Sequence, residues 1–327
     1  MTRALVFALI AAAAIAAPFF FYPVMLMTIM CFVIFACSFN LLLGYTGLLC
    51  FGHAMFFGGA AYITGYILKT TGLSTELAIL AGAGAAGLLG LFVGYLTMKR
   101  QGIQFAMITL AFSQFIYFIF LRSPFTGGED GMQAIPRNPL FGVFNVGSNF
   151  TYYYVILAMT ALAVFVYYRV VHSPYGEILK AVRDNQPRVE SLGFHPEKIK
   201  LVAFVISATM AGMAGGMKAT VYQFATLTDV SFTLSGEVIL MTLLGGLGTL
   251  TGPAFGAAII IWLNDNLAGL GEWALISQGV ILLAVIIFFR RGFVGELSAL
   301  FRFIARRRNA ATAPELTGQT VASETER

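Results

Sequence analysis

The sequence predicts an all-α fold: a polytopic helical bundle of about ten transmembrane segments, some of them broken or re-entrant, with both termini in the cytoplasm. Three observations predict this class. Hydrophobic residues make up 58% of the chain and charged residues 11%, against roughly 45–50% and about 25% in soluble domains. The charges are segregated, which leaves apolar runs near the length that crosses a bilayer. Basic residues are also distributed unequally between alternate loops.

The apolar runs fix the order of the segments. The first is predicted as a retained transmembrane helix, because only Arg3 precedes it and another apolar run follows Pro23 directly. A cleaved signal peptide is the alternative interpretation of this stretch. The ten predicted segments lie near residues 4–22, 24–43, 47–68, 77–98, 104–121, 151–169, 201–219, 236–250, 253–269 and 273–289.

The positions of the basic residues test this count. With the N-terminus inside, only Lys69, Arg122, Arg137 and Lys218 of the 20 basic residues fall outside. Cytoplasmic loops carry the excess of Lys and Arg in membrane proteins, and an odd number of missed segments would remove the asymmetry. The same asymmetry explains the basic pI without nucleic-acid binding.

Three polar stretches divide the chain. Residues 122–150 form an outer connection rich in Gly, Pro and Asn, and residues 170–200 form an inner one. The tail at 309–327 has almost no large apolar residues and is predicted to be a disordered cytoplasmic segment. Residues 1–22 then hold the variable first helix, and residues 23–308 hold the main bundle.

Small residues recur every four positions in two segments. This spacing aligns them on one helix face, where they let two backbones approach closely in lipid. Helix packing is the predicted role of Gly82, Ala86, Gly90 and Gly94 in the fourth segment and of Ala208, Gly212 and Gly216 in the seventh.

Residues 40–62, "NLLLGYTGLLCFGHAMFFGGAAY", are apolar yet hold five glycines and a histidine. "LLGYTGLL" at 42–49 is similar to "LLGGLGTL" at 243–250, and corresponding Gly-broken segments flank the substrate path in repeat-built transporters. One interpretation is that residues 40–62 form a wall of the substrate path, and the other is that they serve ordinary helix packing. The candidate path residues are Tyr45, Thr46, His53, Thr109, Ser113, Gln114, Gly245, Gly246 and Gly248.

Enzyme chemistry is missing from the sequence. No phosphate-binding G-x-x-x-x-G-K-[ST] loop is present, and the three histidines are scattered. Cys31, Cys37 and Cys50 lie in apolar segments without metal-ligand spacing and are predicted to be small buried hydrophobes. An ion-coupled carrier would need deep ionisable residues. His53 is the one that could lie deep, and Glu237, near the outer face, is the other candidate for coupling.

The inner connection carries readable helix signals. Ser173 is a good N-cap before Pro174, Asn185 caps a second short helix, and Gly193 ends it. Leu192 and Phe194 flank this glycine as an apolar tip. Such a tip gains by burial in a groove of another protein, or by folding against its own bundle.

Several quoted motifs together resemble a known family. "GIQFAMITLAFSQ", "GGEDGM", "SPYGEILKAVRDNQPRVESLGF", "GEVILMTLLGGLGTLTGPAFGA" and "FFRRGFVG", with residues 40–62, resemble permease subunits of branched-chain amino acid ABC importers. The resemblance covers about residues 25–295 and is closer to the LivM-type subunit than to its LivH-type partner.

The resemblance implies a complex in the bacterial inner membrane. Its other members are a LivH-type permease, two ABC ATPases that bind ATP and magnesium, and a periplasmic substrate-binding protein. This chain would then be no enzyme and would bind no cofactor or metal. It would translocate Leu, Ile and Val by alternating access, with urea, short amides or aromatic acids as alternative substrates and a stand-alone carrier or channel as a rival function.

The same resemblance assigns a role to the inner connection. Residues 186–194 would form the coupling helix that docks in an ATPase groove. The implied ATPase-coupling residues are Arg183, Asp184, Asn185, Pro187, Glu190, Leu192, Gly193 and Phe194.

Overall fold

The computed structural model describes residues 14–139 and 147–267, with residues 269, 273, 276, 277, 279, 280 and 283. These residues are mostly helical, which confirms the all-α class; their only strand-like pairing is one isolated bridge, between Met132 and Ala225. Their helices are α1 Pro23–Asn40, α2 Ala54–Thr71, α3 Thr75–Thr97, α4 Ile103–Arg122, α5 Asn149–Val171, α6 Pro174–Asp184, α7 Gln186–Ser191, α8 Pro196–Tyr222, α9 Phe232–Gly245 and α10 Gly252–Leu267.

Several sequence predictions lie wholly or mostly outside the described residues. These are residues 4–13 of the first predicted segment, most of the segment at 273–289 and the tail at 309–327. Residues 140–146 of the outer connection belong to the same group. From the first predicted segment the structure describes only residues 14–22, which include a short 3-10 turn at Ala17–Phe19.

Five described helices are long and apolar enough to cross a membrane. They are Pro23–Thr46, which is α1 with its terminal π-helical turn, and then α3, α4, α5 and α8. The predicted segments near 47–68, 236–250 and 253–269 correspond to the shorter helices α2, α9 and α10. The chain is therefore a multi-pass helical membrane protein. The count of ten segments and the orientation stay predictions.

Helix α8 lies at the centre of the bundle and packs against α1, α2 and α3. Its small residues face those of α3: a Cβ on Gly212 would overlap the Ala86 methyl, and one on Gly90 would lie 2.5 Å from that of Ala208. The antiparallel register continues, because Gly94 faces Leu201 and Phe204. Close packing of backbones, which drives helix association in lipid, therefore holds this part of the bundle together.

The chain does not form a helix at 47–53. Helix α1 ends in a π-helical turn at Leu41–Thr46, and Gly47 then adopts the left-handed conformation at φ 72°. Regular helix resumes only at Ala54. The helix predicted from residue 47 thus begins seven residues later than expected, because the left-handed Gly47 turns the chain out of the helical path.

The non-helical stretch runs back into the bundle interior. His53 Nε2 lies 2.9 Å from Ser38 Oγ, and Ser38 precedes Gly44 by about 9 Å of helix rise. Residues 223–231, between α8 and α9, enter the bundle from the other end: a Cβ on Gly58 would lie 2.6 Å from the Asp229 carbonyl oxygen. Helices α2 and α9 consequently both begin inside the bundle.

Polar side chains define the ends of the helices in the inner connection. Gly176 N donates to Ser173 Oγ at 3.4 Å and Arg188 N donates to Asn185 Oδ1 at 3.2 Å. Gly193 is left-handed at φ 87°. The capping predictions for α6 and α7 are confirmed, and residues 170–200 are an ordered helical element.

The outer connection is tied to the end of α8. Met132 N donates to the Ala225 carbonyl at 2.9 Å, and Arg137 donates to the carbonyls of Thr220 and Val221 at 2.9 and 2.6 Å. Its guanidinium lies 4.6 Å from the ring centroid of Tyr152, and burial there lowers its pKa from the ordinary value. These bonds hold the end of α8 and the start of the segment 223–231, which then enters the bundle.

Candidate functional site

The non-helical segment 47–53 lies between two cavities. The larger has a volume of about 770 Å³, and the smaller one of about 370 Å³. Phe51 lines both of them. The larger is otherwise lined by Thr228, Asp229, Thr233, Leu234, Gly236, Glu237, Ile239, Leu240 and Gly279, and the smaller by Gly47, Leu48, Leu49, Gly102, Ile103, Phe105, Ala106, Met107 and Leu110.

The start of α2 is held against α9. Ala54 N, which has no helical partner at this position, donates to Ser235 Oγ in the first turn of α9 at 2.9 Å. Both groups are buried. The two helices that begin inside the bundle therefore share a direct hydrogen bond beside the larger cavity, and neither can move far without the other.

Helix α4 supports the same segment from behind. A Cβ on Gly52 would overlap the Thr109 carbonyl and lie 3.4 Å from Ser113 Cβ. Thr109 and Ser113 are fully buried, and the Thr109 hydroxyl donates to the Ala106 carbonyl at 2.9 Å. Only glycine lets the broken segment approach α4 this closely.

His53 is enclosed by aromatic rings. It is fully buried, and its ring stacks on Phe35 at a centroid distance of 5.3 Å and makes T-shaped contacts with Phe39 and Phe56 at centroid distances of 5.4 and 5.9 Å. Its Nε2 pairs with Ser38 Oγ, whereas its Nδ1 has no hydrogen-bond partner in the part of the chain that the structure describes. Its surroundings are those of a packed core.

The predicted path residues separate into two groups. His53, Thr109 and Ser113 lie around the start of α2, with Gln114 half-buried beside them. The other group is at the end of α1, where Gly44 approaches Gly248. It comprises Tyr45, Thr46, Gly245, Gly246 and Gly248. None of the nine predicted path residues lines either of the two cavities. They pack instead around residues 47–53 and around the contact between Gly44 and Gly248.

A buried ion pair is a feature that sequence reasoning missed. Lys218 Nζ lies 2.6 and 2.8 Å from the two carboxylate oxygens of Asp229, and the two side chains are 11% and 7% exposed. Asp229 also accepts from Thr226 N and Oγ1 at 3.2 and 3.1 Å. The pair fastens the entering segment 223–231 to α8.

The sequence analysis assigned Lys218 to the outer side without a partner and named His53 as the one titratable group that could lie deep. The structure buries the Lys218 side chain near the end of α8, because Asp229 enters the bundle to meet it. A lysine inside a long apolar run was the available signal, since buried membrane charges are normally paired. Phe51 and Asn40 were likewise missed, although both lie in or beside the glycine-rich stretch.

The apolar tip of the inner connection faces outward. Leu192 is 70% exposed and Phe194 is 46% exposed. Helix α7 itself is held to α8 by a bond from Lys200 Nζ to Gln186 Oε1 at 2.6 Å. Among the predicted coupling residues, Arg183 pairs with Asp184 at 3.0 Å, and Glu190 accepts from Gln186 at 2.9 Å. The tip is thus presented by a fixed element.

Comparison with known proteins gives the family. Residues 21–289 match the family described as branched-chain amino acid transport system / permease component. The chain is 26% identical to the high-affinity branched-chain amino acid transport system permease protein LivM of Escherichia coli K12, over 80% of this chain and 67% of that protein. The Salmonella typhimurium LivM protein is 27% identical, with the same coverage of both chains.

Other relatives include sugar import permeases. The ribose import permease RbsC of Escherichia coli K12 is 24% identical over 70% of this chain and 75% of that protein. No solved structure matches. The family match extends over most of the chain, including the broken segments, the cavities and the inner connection. The chain therefore belongs to the branched-chain amino acid transport system permease family and is a membrane permease component of an ABC importer.

Proposed function

We propose that this permease subunit carries branched-chain amino acids across the bacterial inner membrane by alternating access, driven by ATP hydrolysis in partner subunits. The observation that carries the proposal is the break at 47–53, which lies between two cavities with Phe51 lining both. Irregular backbone at membrane depth is tolerated only when it is buried in protein or lines a watery cavity. The substrate path runs along this face, and Phe51 separates its two halves.

The path residues predicted from the sequence support residues 47–53 on the side away from the cavities. His53, Thr109 and Ser113 pack behind the start of α2, and the glycines at 245–248 pack beside the end of α1. A close-packed backing transmits displacement, because protein interiors are dense and have few alternative arrangements. Joint movement of α2 and α9 relative to α4 then opens one cavity and closes the other around Phe51.

The family and the exposed surfaces support a set of partners for this chain. Two ATPases, a second permease of the LivH type and a periplasmic binding protein complete the importer, with ATP and magnesium held by the ATPases. Residues 170–200 face the cytoplasm, so that both termini do so too in a bundle of ten segments. Leu192 and Phe194 enter a groove of the ATPase, where burial of the phenyl ring would gain up to about 3 kcal/mol.

Branched-chain side chains suit the larger cavity. Phe51, Leu234, Ile239 and Leu240 provide apolar surface, and Thr233 and Glu237 provide polar groups. Binding sites for small ligands usually combine such an apolar lining with a few polar groups. Urea, short amides and aromatic acids remain the alternatives, and ribose is included as a test ligand because of the sugar-importing relatives.

The test of coupling is a charge at the exposed tip. In the reconstituted complex, Phe194→Asp is expected to abolish ATPase binding and leucine uptake while the permease remains inserted, because a carboxylate cannot enter an apolar groove without a partner. Phe194→Leu is the matched control and keeps both activities. Normal substrate-stimulated ATPase activity in F194D would refute the assignment of the coupling helix.

A second measurement addresses the rival function. Proteoliposomes that contain this chain alone are expected to show no leucine uptake under an ion gradient. Uptake without the ATPase and the binding protein would identify a stand-alone carrier or channel. Competition of uptake by valine, urea, an aromatic acid and ribose then identifies the substrate class.

A further inference from the structure

We infer that Arg183 and Asn40 are positioning residues that join the inner connection to both glycine turns, so that one displacement of α6 moves both broken segments. The inference rests on the proposed function. It concerns the four residues Asn40, Gly44, Gly248 and Thr249, which we call the turn junction. The junction lies where the end of α1 meets the connection between α9 and α10.

Asn40 uses its whole side-chain amide at the junction. Its Nδ2 donates to Tyr167 Oη at 2.7 Å and to the Thr249 carbonyl at 2.9 Å. Its Oδ1 accepts from Gly248 N at 3.0 Å. Asn40 is fully buried; its bond to Tyr167 is buried, and its bonds to Thr249 and Gly248 are partly buried. The side chain thereby fastens the turn at 246–249 to the last turn of α1.

The two turns also touch directly. A Cβ on Gly44 would lie 2.7 Å from Gly248 N and would overlap Asn40 Oδ1. Gly248 is left-handed at φ 71°, a conformation that glycine adopts without strain. The turns of the two similar sequences "LLGYTGLL" and "LLGGLGTL" are therefore in backbone contact. Neither turn can be displaced along the other without breaking the Asn40 bonds.

Arg183 connects this junction to the inner connection. It lies in the last turn of α6, immediately before α7, and its Nη1 donates to the Gly44 carbonyl. Its Nε and Nη2 are both 3.0 Å from Asp184 Oδ1, which fixes the direction of the guanidinium. Its aliphatic stem packs on Gly47, where a Cβ would lie 3.0 Å from Arg183 Cγ.

The consequence is a single mechanical unit. Arg183 holds the turn that leads into residues 47–53, and through Asn40 the same turn holds the connection between α9 and α10. Helix α9 and the start of α2, which lie on either side of Phe51, also share the bond between Ser235 and Ala54. Both elements are therefore tied to α6. A movement of α7 on an ATPase would therefore displace α9 and the start of α2 together.

The test replaces Arg183 by methionine, which keeps the stem on Gly47 and removes the donors. The complete reconstituted importer is assayed for leucine uptake and for stimulation of ATP hydrolysis by the loaded binding protein. Arg183→Met is expected to lower leucine imported per ATP by about tenfold, within the range typical of coupling between sites, while ATPase binding stays normal. Lys180→Met removes the same charge one turn earlier and is expected to behave as wild type.

If Arg183 had a merely structural role, R183M would fail to assemble instead of assembling with lower uptake per ATP. If R183M does not assemble, Arg183→Gln is tested, because its shorter side chain also loses the Gly44 carbonyl but keeps a polar group. Wild-type uptake per ATP in either assembled variant overturns the inference, as does failure of both variants to assemble. A wild-type complex without ATP-dependent uptake would instead refute the proposed function, which keeps the two failures distinct.

Discussion

Removing the Asp229 carboxylate should destabilise the chain strongly. Asp229 neutralises Lys218 in a pair that is 7% and 11% exposed. Breaking a buried pair by removing one partner costs about 3–5 kcal/mol, because the remaining charge is left without compensation. Asp229→Ala also removes the two hydrogen bonds from Thr226, which as a helix cap contribute about 1 kcal/mol. The expected loss in free energy of unfolding is therefore about 4–6 kcal/mol.

The double variant separates the charge from the cap. Lys218→Met combined with Asp229→Ala leaves no buried charge, and methionine fills most of the volume of the lysine stem. Only the lost cap and imperfect packing remain, at about 1–2 kcal/mol. The double variant should thus be more stable than D229A alone by about 3 kcal/mol.

The assay is unfolding of the purified chain in mixed micelles, followed by thiol labelling of its buried cysteines, Cys31, Cys37 and Cys50. Glu177→Ala is the control, since it breaks an ion pair whose side chains are 37% and 71% exposed; such pairs contribute about 0–1 kcal/mol. A free energy of unfolding for D229A within about 1 kcal/mol of wild type, or a double variant less stable than D229A, would refute the reasoning.

Three further predictions concern the packing, the gate and the histidine. Gly212→Val should lower the free energy of unfolding by about 1–3 kcal/mol or more through overpacking against Ala86, whereas Gly84→Val, with no neighbour within 4 Å, should have little effect; equal effects would contradict the α3–α8 contact. Phe51→Ala should increase leucine leak without ATP, because Phe51 separates the two halves of the path. Leu110→Ala changes a residue that lines only the smaller of the two cavities and should not increase the leak. An unchanged leak in F51A would show that Phe51 does not separate the two halves. Ser38→Ala should lower the free energy of unfolding by about 1–3 kcal/mol, because it leaves His53 Nε2 unpaired, and a stability equal to wild type would contradict this.

The sequence predicted features that depend on local chemistry. Ser173 and Asn185 cap α6 and α7 because their side chains accept from amides three residues later, and this requires no knowledge of the rest of the fold. The buried state of the three cysteines followed equally from their apolar surroundings. Helical class and approximate segment positions came from composition and run length.

Features that depend on distant parts of the chain could not be predicted in this way. The sequence placed Lys218 on the outer side but not its partner Asp229, which lies eleven residues later and enters the bundle beside it. The late start of α2 depends on the left-handed Gly47 and on support from Thr109 of α4. Similarity between residues 42–49 and 243–250 indicated that the two stretches were related, but not that Gly44 and Gly248 touch.

The most direct test of the central claim is reconstitution of the importer with one component omitted at a time. Proteoliposomes are prepared with this chain, its paired permease, the ATPases and the binding protein, and the uptake of labelled leucine is measured with and without ATP. The account predicts uptake only when every component and ATP are present. Leucine uptake by this chain alone, or uptake by the complete complex that does not depend on ATP, would contradict it.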